Sequence, residues 1–221
     1  MSFRKGYDKD LARLDEMVLA MGRGVNEALK AALDCWEKAD REGARRVMAG
    51  DDAINREEKQ IEHLCMMLLL RQQPVAGDLR RVSAALKMAG DMERIGDHAQ
   101  DIAELSLMMP APSAHADRLE KAEKMWENAL WMVENAMESW MTANTELANT
   151  VIARDDAVDE AFRELKHTLA SHLTDQPQEV DEIMDWLMLA KYLERVADHA
   201  VNLAEWVIFC KTGVHKDEQI L

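Results

Sequence analysis

Glu93-Arg94-Ile95-Gly96-Asp97-His98-Ala99-Gln100-Asp101-Ile102-Ala103-Glu104 returns about a hundred residues later as Glu194-Arg195-Val196-Ala197-Asp198-His199-Ala200-Val201-Asn202-Leu203-Ala204-Glu205. Seven of the twelve positions are identical, and most of the others stay within one chemical class. A repeat of this length implies two copies of one structural unit. What is repeated most faithfully is charge rather than core, and charge is what a site needs.

The repeat extends through the chain. A shift of 104 puts Trp36 on Trp140, Ala44 on Ala148, Val47 on Val151, and Asp51-Asp52-Ala53 on Asp155-Asp156-Ala157. Beyond the second helix of each copy the shift falls to 101, so the second copy has lost three residues at a hairpin tip. Between these landmarks the composition is that of good helix formers (Ala, Leu, Met, Glu, Lys, Arg), and strand-like alternation is missing. Apolar residues recur at three- and four-residue spacing, as in Leu11-Leu14-Val18-Met21-Val25. Breakers stand at Pro74, at Pro110-Ala111-Pro112-Ser113, at Gln176-Pro177 and at Gly213, and Ala39-Asp40-Arg41-Glu42-Gly43 reads as a turn. The expected fold is all-α: six helices near 8–39, 42–72, 75–108, 114–144, 147–173 and 177–211, forming two tandem three-helix bundles over 1–109 and 110–221. Most of the sixteen Met residues fall on apolar stripes and read as core filling.

Bulk composition narrows the function. With 48% hydrophobic and 31% charged residues the chain is neither disordered nor a membrane span. Its longest wholly apolar run, Leu64 to Leu70, is far short of the ~20 residues a bilayer requires. No apolar signal core follows Met1-Ser2-Phe3-Arg4-Lys5, and Cys35, Cys65 and Cys210 are scattered and odd in number, which suits reduced thiols in a cytoplasmic protein. A net charge of −15 argues against nucleic acid, which needs clustered Lys and Arg. It suits cations or basic protein surfaces, and equally plain solubility.

The acids themselves are patterned. Glu93, Asp97 and Asp101 are four apart and form one stripe on the flank of the third helix. Like charges at this spacing destabilise a helix by a few tenths of a kcal/mol per pair, a cost that a bound cation reverses. A second stripe lies on the second helix of each copy: Asp51 and Asn55, then Asp155 and Asp159. In an antiparallel hairpin, residues equidistant from the tip face each other. Asp51 with Asp97 and Asn55 with Glu93 both average to position 74, the first tip; Asp155 with Asp198 and Asp159 with Glu194 both average to 176.5, the second. Two oxygen-rich clusters follow, suited to Mg, Mn, Ca or Fe. His98 and His199 each follow an acid by one residue and so point about 100° away. They and Arg94 are expected toward solvent, the histidines pairing with acids there.

With these residues the chain resembles the PhoU family, over essentially its whole length. The family's paired acidic motifs stand here as Asp51-x-x-x-Asn55 with Glu93-x-x-x-Asp97, and Asp155-x-x-x-Asp159 with Glu194-x-x-x-Asp198. The resemblance implies multinuclear metal clusters, often iron, held at those eight positions and at Asp101 and Asn202. Asn55 and Asn202 offer neutral oxygens where a full carboxylate set would stand. The resemblance further implies a cytoplasmic, dimeric, non-catalytic negative regulator of phosphate-starvation signalling. Its partners would be the ATP-hydrolysing subunit of a phosphate ABC transporter and a membrane-bound sensor histidine kinase. Two alternatives remain: an accessory of a different ion or phosphate carrier, and a di-iron carboxylate enzyme. The latter would need Glu-x-x-His on two helices, and that spacing occurs only at Glu164-Leu165-Lys166-His167, with Gln60 at the repeat counterpart of Glu164.

Overall fold

Each connection between helices is set by local chemistry. At the first turn Ala39 takes a left-handed φ of 52°, and the Asp40 carboxylate accepts the Gly43 N–H at 2.9 Å to cap the next helix. The repeat counterpart uses the same device: Ala143 has φ 51°, and the Asn144 side chain accepts from Glu146 N and Leu147 N, both at 3.0 Å. The computed structural model describes residues 2–109, 116–216 and 218–220. Within them run α1 (Ser2–Lys38), α2 (Arg41–Gln72), α3 (Ala76–Ser106), α4 (Ala116–Thr142), α5 (Thr145–Asp175) and α6 (Val180–Thr212). The Pro-rich segment at 110–113, on which the expected division at 109/110 falls, lies outside the described residues.

The helices match the expected six, with ends displaced by a few residues. The largest shift is at α1, which begins at Ser2 rather than near residue 8. Before α6 the chain makes one 3₁₀ turn, Pro177–Glu179, because Pro177 starts a helix readily but donates no N–H. Gly213 (φ 80°) ends α6, and a short antiparallel hairpin follows, β1 (Val214–His215) with β2 (Glu218–Gln219). No hairpin was expected there; two-residue strands carry no readable periodicity. It is held partly by the His215 ring, which stacks on Trp206 with centroids 3.8 Å apart.

Within each half every helix packs on the other two. Between the halves α1 packs on α4, and α3 packs on α6 as extensively as on its own partner α2. Trp36, fully buried, sits edge-on to Trp126 at 5.5 Å and to Trp186 at 5.3 Å, tying α1 to α4 and α6. Met21, Met88, Met92, Met125 and Met132 are buried core, as their stripes indicate, whereas Met66, Met184 and Met188 are exposed.

One core position breaks the repeat. Leu14, fully buried in α1, has Arg118 as its counterpart in α4, also fully buried. Its Nη1 donates to Glu182 at 2.8 Å and its Nη2 to Glu179 at 3.2 Å, fastening α4 to the start of α6. Removing one partner of a buried pair typically costs ~3–5 kcal/mol, whereas a well-packed apolar replacement is often neutral. Arg118→Ala should therefore lower unfolding stability by about 3 kcal/mol in urea titration, and Arg118→Leu, which copies Leu14, by much less. Equal losses in the two variants would contradict this account.

Candidate metal centre

Close contact between α2 and α3 creates the first acidic cluster. Gly96 faces α2, where an added Cβ would stand 3.1 Å from two Ile54 side-chain carbons and 3.7 Å from Asp51 Oδ1. The missing side chain lets Asp51 settle against the residue preceding Asp97. Burial raises the Asp51 carboxyl above the usual range and the Asp97 charge raises it further, opposed by a hydrogen bond from Asn55 Nδ2 to Asp51 Oδ2 at 2.7 Å. Asp51 Oδ1 is buried with no hydrogen-bond partner. Glu93 is likewise pushed up, by burial and then by Asp97, with Arg94 opposing.

The second cluster is more purely anionic. Burial, followed by the charges of Asp159, Asp198, Asp156 and Glu194, pushes Asp155 up to about 6. Asp198 is raised by burial and by Glu194, with Lys191 opposing. Asp155 therefore feels both Asp198 and Glu194 across the α5–α6 hairpin, at the height the sequence indicates.

Asp101 and Asn202 are engaged elsewhere. Asp101 Oδ2 accepts from His98 Nδ1 at 3.2 Å, although its charge still reaches Asp51. Asn202 Nδ2 donates to Asp91 Oδ1 at 3.0 Å, and His199 Nδ1 donates to the same oxygen at 2.9 Å. The expectation that His98 faces solvent is overturned. It is buried, stacked on Tyr192 at 5.7 Å and 6.0 Å from the His199 ring. The physical reason is the α3–α6 interface between the halves, which covers a helix face that would be outermost in an isolated three-helix bundle. Burial lowers the His98 imidazole below its ordinary range, against the pull of Asp101.

Three participants escaped the sequence reading. Glu58 is raised by burial and next by Glu93, so it joins the first cluster; it continues the Asp51–Asn55 stripe by three residues, but its counterpart Phe162 hid it from a comparison of the copies. Arg94, exposed as expected, also pairs with the first cluster, 3.0 Å from Asp97 and 3.5 Å from Glu93. Lys191 pairs with Glu194 in the second cluster while lying over the Phe162 ring. Glu164 and His167, the pair a di-iron enzyme would use, are both exposed on α5.

The donor set is oxygen throughout, and the orphaned Asp51 Oδ1 together with the raised carboxyls fits a hard cation. Among the described residues no three His, Cys, Asp or Glu side chains already converge as a ligand set for one ion. Arg94, Lys191 and the Asn55 amide take up part of the acid oxygens instead.

The fold recurs in known proteins. The sequence model of the PhoU domain matches twice, over residues 18–106 and 122–207. The chain belongs to the PhoU family. It is 32% identical to a phosphate-specific transport system accessory protein PhoU homolog from a Burkholderia species, covering 94% of this chain and 89% of that one. A homolog of the same name from Xylella fastidiosa is 33% identical over 95% of this chain and 86% of its own. The crystal structure of PhoU from Pseudomonas aeruginosa superposes with a TM-score of 0.87 at 27% identity, covering 94% of this chain and all of that one. The phosphate transport system regulatory protein PhoU from Streptococcus pneumoniae gives 0.88, also at 27% identity, over 96% of this chain and 100% of its own.

The raised Asp155 carboxyl sets a pH dependence. Its folded value of about 6 lies above the ordinary ~3.9, so the fold binds a proton the unfolded chain has released. Its contribution to stability therefore falls as pH rises from about 4 to 6 and stays low above that. Asp155→Asn removes the charge. In chelator, its melting temperature should exceed that of the parent at pH 7.5, and the gap should shrink by pH 4.5. A gap independent of pH would contradict the assignment.

Proposed function

We propose that this PhoU-family chain is an accessory protein of phosphate transport that acts as a regulator rather than a catalyst. The observation that carries the reading is the family match over both halves, supported by relatives named as phosphate-transport accessory and regulatory proteins. Its finer form follows from the family resemblance: a cytoplasmic dimer that restrains phosphate-starvation signalling through the transporter ATPase and a sensor histidine kinase. No helix among the described residues is long and apolar enough to cross a membrane, so attachment to a transporter would run through protein contacts.

In this reading each carboxylate cluster holds hard metal ions, iron or a divalent cation such as Mg or Mn. Asp51, Glu93 and Asp97, aided by Glu58 and the Asn55 oxygen, would form one set. Asp155, Asp159, Glu194 and Asp198 would form the other. The bound cation supplies positive charge that relieves the repulsion raising Asp51, Glu93, Asp155 and Asp198. The protein's own residues do the remaining work. To hold an ion, Arg94 and Lys191 would have to release the acids they now pair with, and Asn55 would present its amide oxygen rather than the Nδ2 that now donates to Asp51. The first set carries the neutral Asn55 where the second has Asp159, so it would bind ions more weakly.

Two measurements test the parts separately. Elemental analysis of protein purified without chelators should find metal in the parent and none in the Asp97→Ala, Asp198→Ala double variant, with helicity by circular dichroism unchanged. Full occupancy in the double variant would contradict the site assignment. Deleting the gene should leave phosphate-starvation genes active in rich phosphate, and continued repression would contradict the regulatory role.

A further inference from the structure

Repeat 1 carries a basic groove that repeat 2 does not reproduce. It runs between α1 and the second half of α2, with a volume of about 510 Å³. Two adjacent rows of α2 form its floor and one edge: Lys59–His63–Met67–Arg71, and Gln60–Leu64–Leu68–Gln72. Members of each row stand four residues apart and so share a face. Asp10 and Arg13 of α1 form the other edge. Three permanent cations, Arg13, Lys59 and Arg71, thus face one carboxylate, Asp10, in a chain whose net charge is −15. All three cations are exposed, and none makes an ion pair or hydrogen bond among the described residues. Leu64, Met67 and the buried Leu68 make the middle of the floor apolar.

The repeat supplies the internal comparison. The shift of 104 puts Arg163 on Lys59, Glu164 on Gln60 and Asp175 on Arg71, so one cation stands against two acids, and Arg163 is paired with Glu160. On the opposite edge Asp117 takes the place of Arg13 and His172 that of Leu68. Asp117 and His172 bond across the two helices at 3.0 Å. In repeat 2, then, a hydrogen bond bridges α4 and α5 where repeat 1 leaves an apolar floor between unpaired cations. The two halves share their helix order and connections, and this difference in charge and closure separates the groove from its counterpart.

We propose that this groove docks an acidic, amphipathic segment of a partner protein. The groove spans fourteen residues of α2, Lys59 to Gln72, or ~20 Å at 1.5 Å per residue, the length of a short helix. An apolar strip on such a segment would cover Leu64, Met67 and Leu68, while carboxylates one turn apart would meet Lys59 and Arg71 at either end and Arg13 across the groove. A recessed apolar floor between two helices favours an inserted chain over a membrane surface, which needs basic groups projecting outward. At physiological salt the screening length is ~8 Å, so the nearby cations outweigh the distant excess of acids. The groove opens on a different row of α2 from the first carboxylate cluster, with only Lys59 standing next to Glu58, and the proposal does not require those clusters to hold ions.

The test uses the full chain and a fluorescein-labelled peptide of about sixteen residues, built from Glu, Leu and Ala as an amphipathic helix, with a twin carrying Lys for Glu. In anisotropy titrations near 150 mM salt the acidic peptide should bind and its basic twin should not. Arg13→Glu with Arg71→Glu should weaken binding at least about tenfold, while Arg163→Glu in repeat 2 should leave it unchanged. Circular dichroism should show all variants folded, since each site is on the surface. No binding of the acidic peptide, equal binding of the twins, or indifference to the double variant would overturn the proposal. So would binding to phosphatidylglycerol vesicles without peptide binding, which would assign the groove to lipid. Self-association in sedimentation that the double variant abolishes, without peptide binding, would assign it to a second copy and overturn the proposal as well.

Discussion

Repulsion between carboxylates on facing helices is the constraint around which this molecule is arranged. Hairpin geometry fixes the height of each acid, and close packing of α2 on α3 and of α5 on α6 half-buries Asp51, Glu93, Asp97, Asp155 and Glu194 within reach of each other's charge, while Asp159 and Asp198 stay exposed. Gly96 shows how closely the helices approach: even one methyl group would crowd Ile54. The cost is borne by the surrounding core, in which Trp36, Trp126 and Trp186 lock helices from both halves. It is moderated by Arg94, Lys191 and Asn55, which pair with the acids.

The two clusters are physically connected. The interface between α3 and α6 joins the halves, and its polar residues include His98, Asp101, His199 and Asn202 of the repeated motif together with Asp91 and Tyr192 beside it. His199 reaches across to Asp91, shares that oxygen with Asn202, and adds positive character to the surroundings of Glu93. His98 stacks on Tyr192 and holds Asp101. The twelve-residue repeat therefore serves two ends at once. Its Glu-x-x-x-Asp frame points acids into a hairpin, and its histidine and the position three residues later build the seam between halves.

Much of this was legible in the amino-acid order. Helix count followed from uninterrupted three- and four-residue periodicity, and the pairing of Asp51 with Asp97 and of Asp155 with Asp198 followed from equal distances to a turn. Features that depend on contacts between distant elements were not legible. His98 looked solvent-facing because nothing in a single helix announces that α6 will cover it. Glu58 was masked because its counterpart is Phe162, so matching the copies discarded it. Arg118 lies near the start of an amphipathic helix, where a lone arginine reads as solvated, and only the packing of α6 reveals it as buried. The tail hairpin was too short for alternation to show.

The central claim is that the opposed carboxylates form two cation sites. Anomalous diffraction from crystals soaked in a manganese salt addresses it directly. The account predicts one centre of density among Asp51, Glu93 and Asp97 and a second among Asp155, Asp159, Glu194 and Asp198, with the second filled at lower manganese concentration. Density at neither cluster, or manganese bound only elsewhere on the surface, would contradict it.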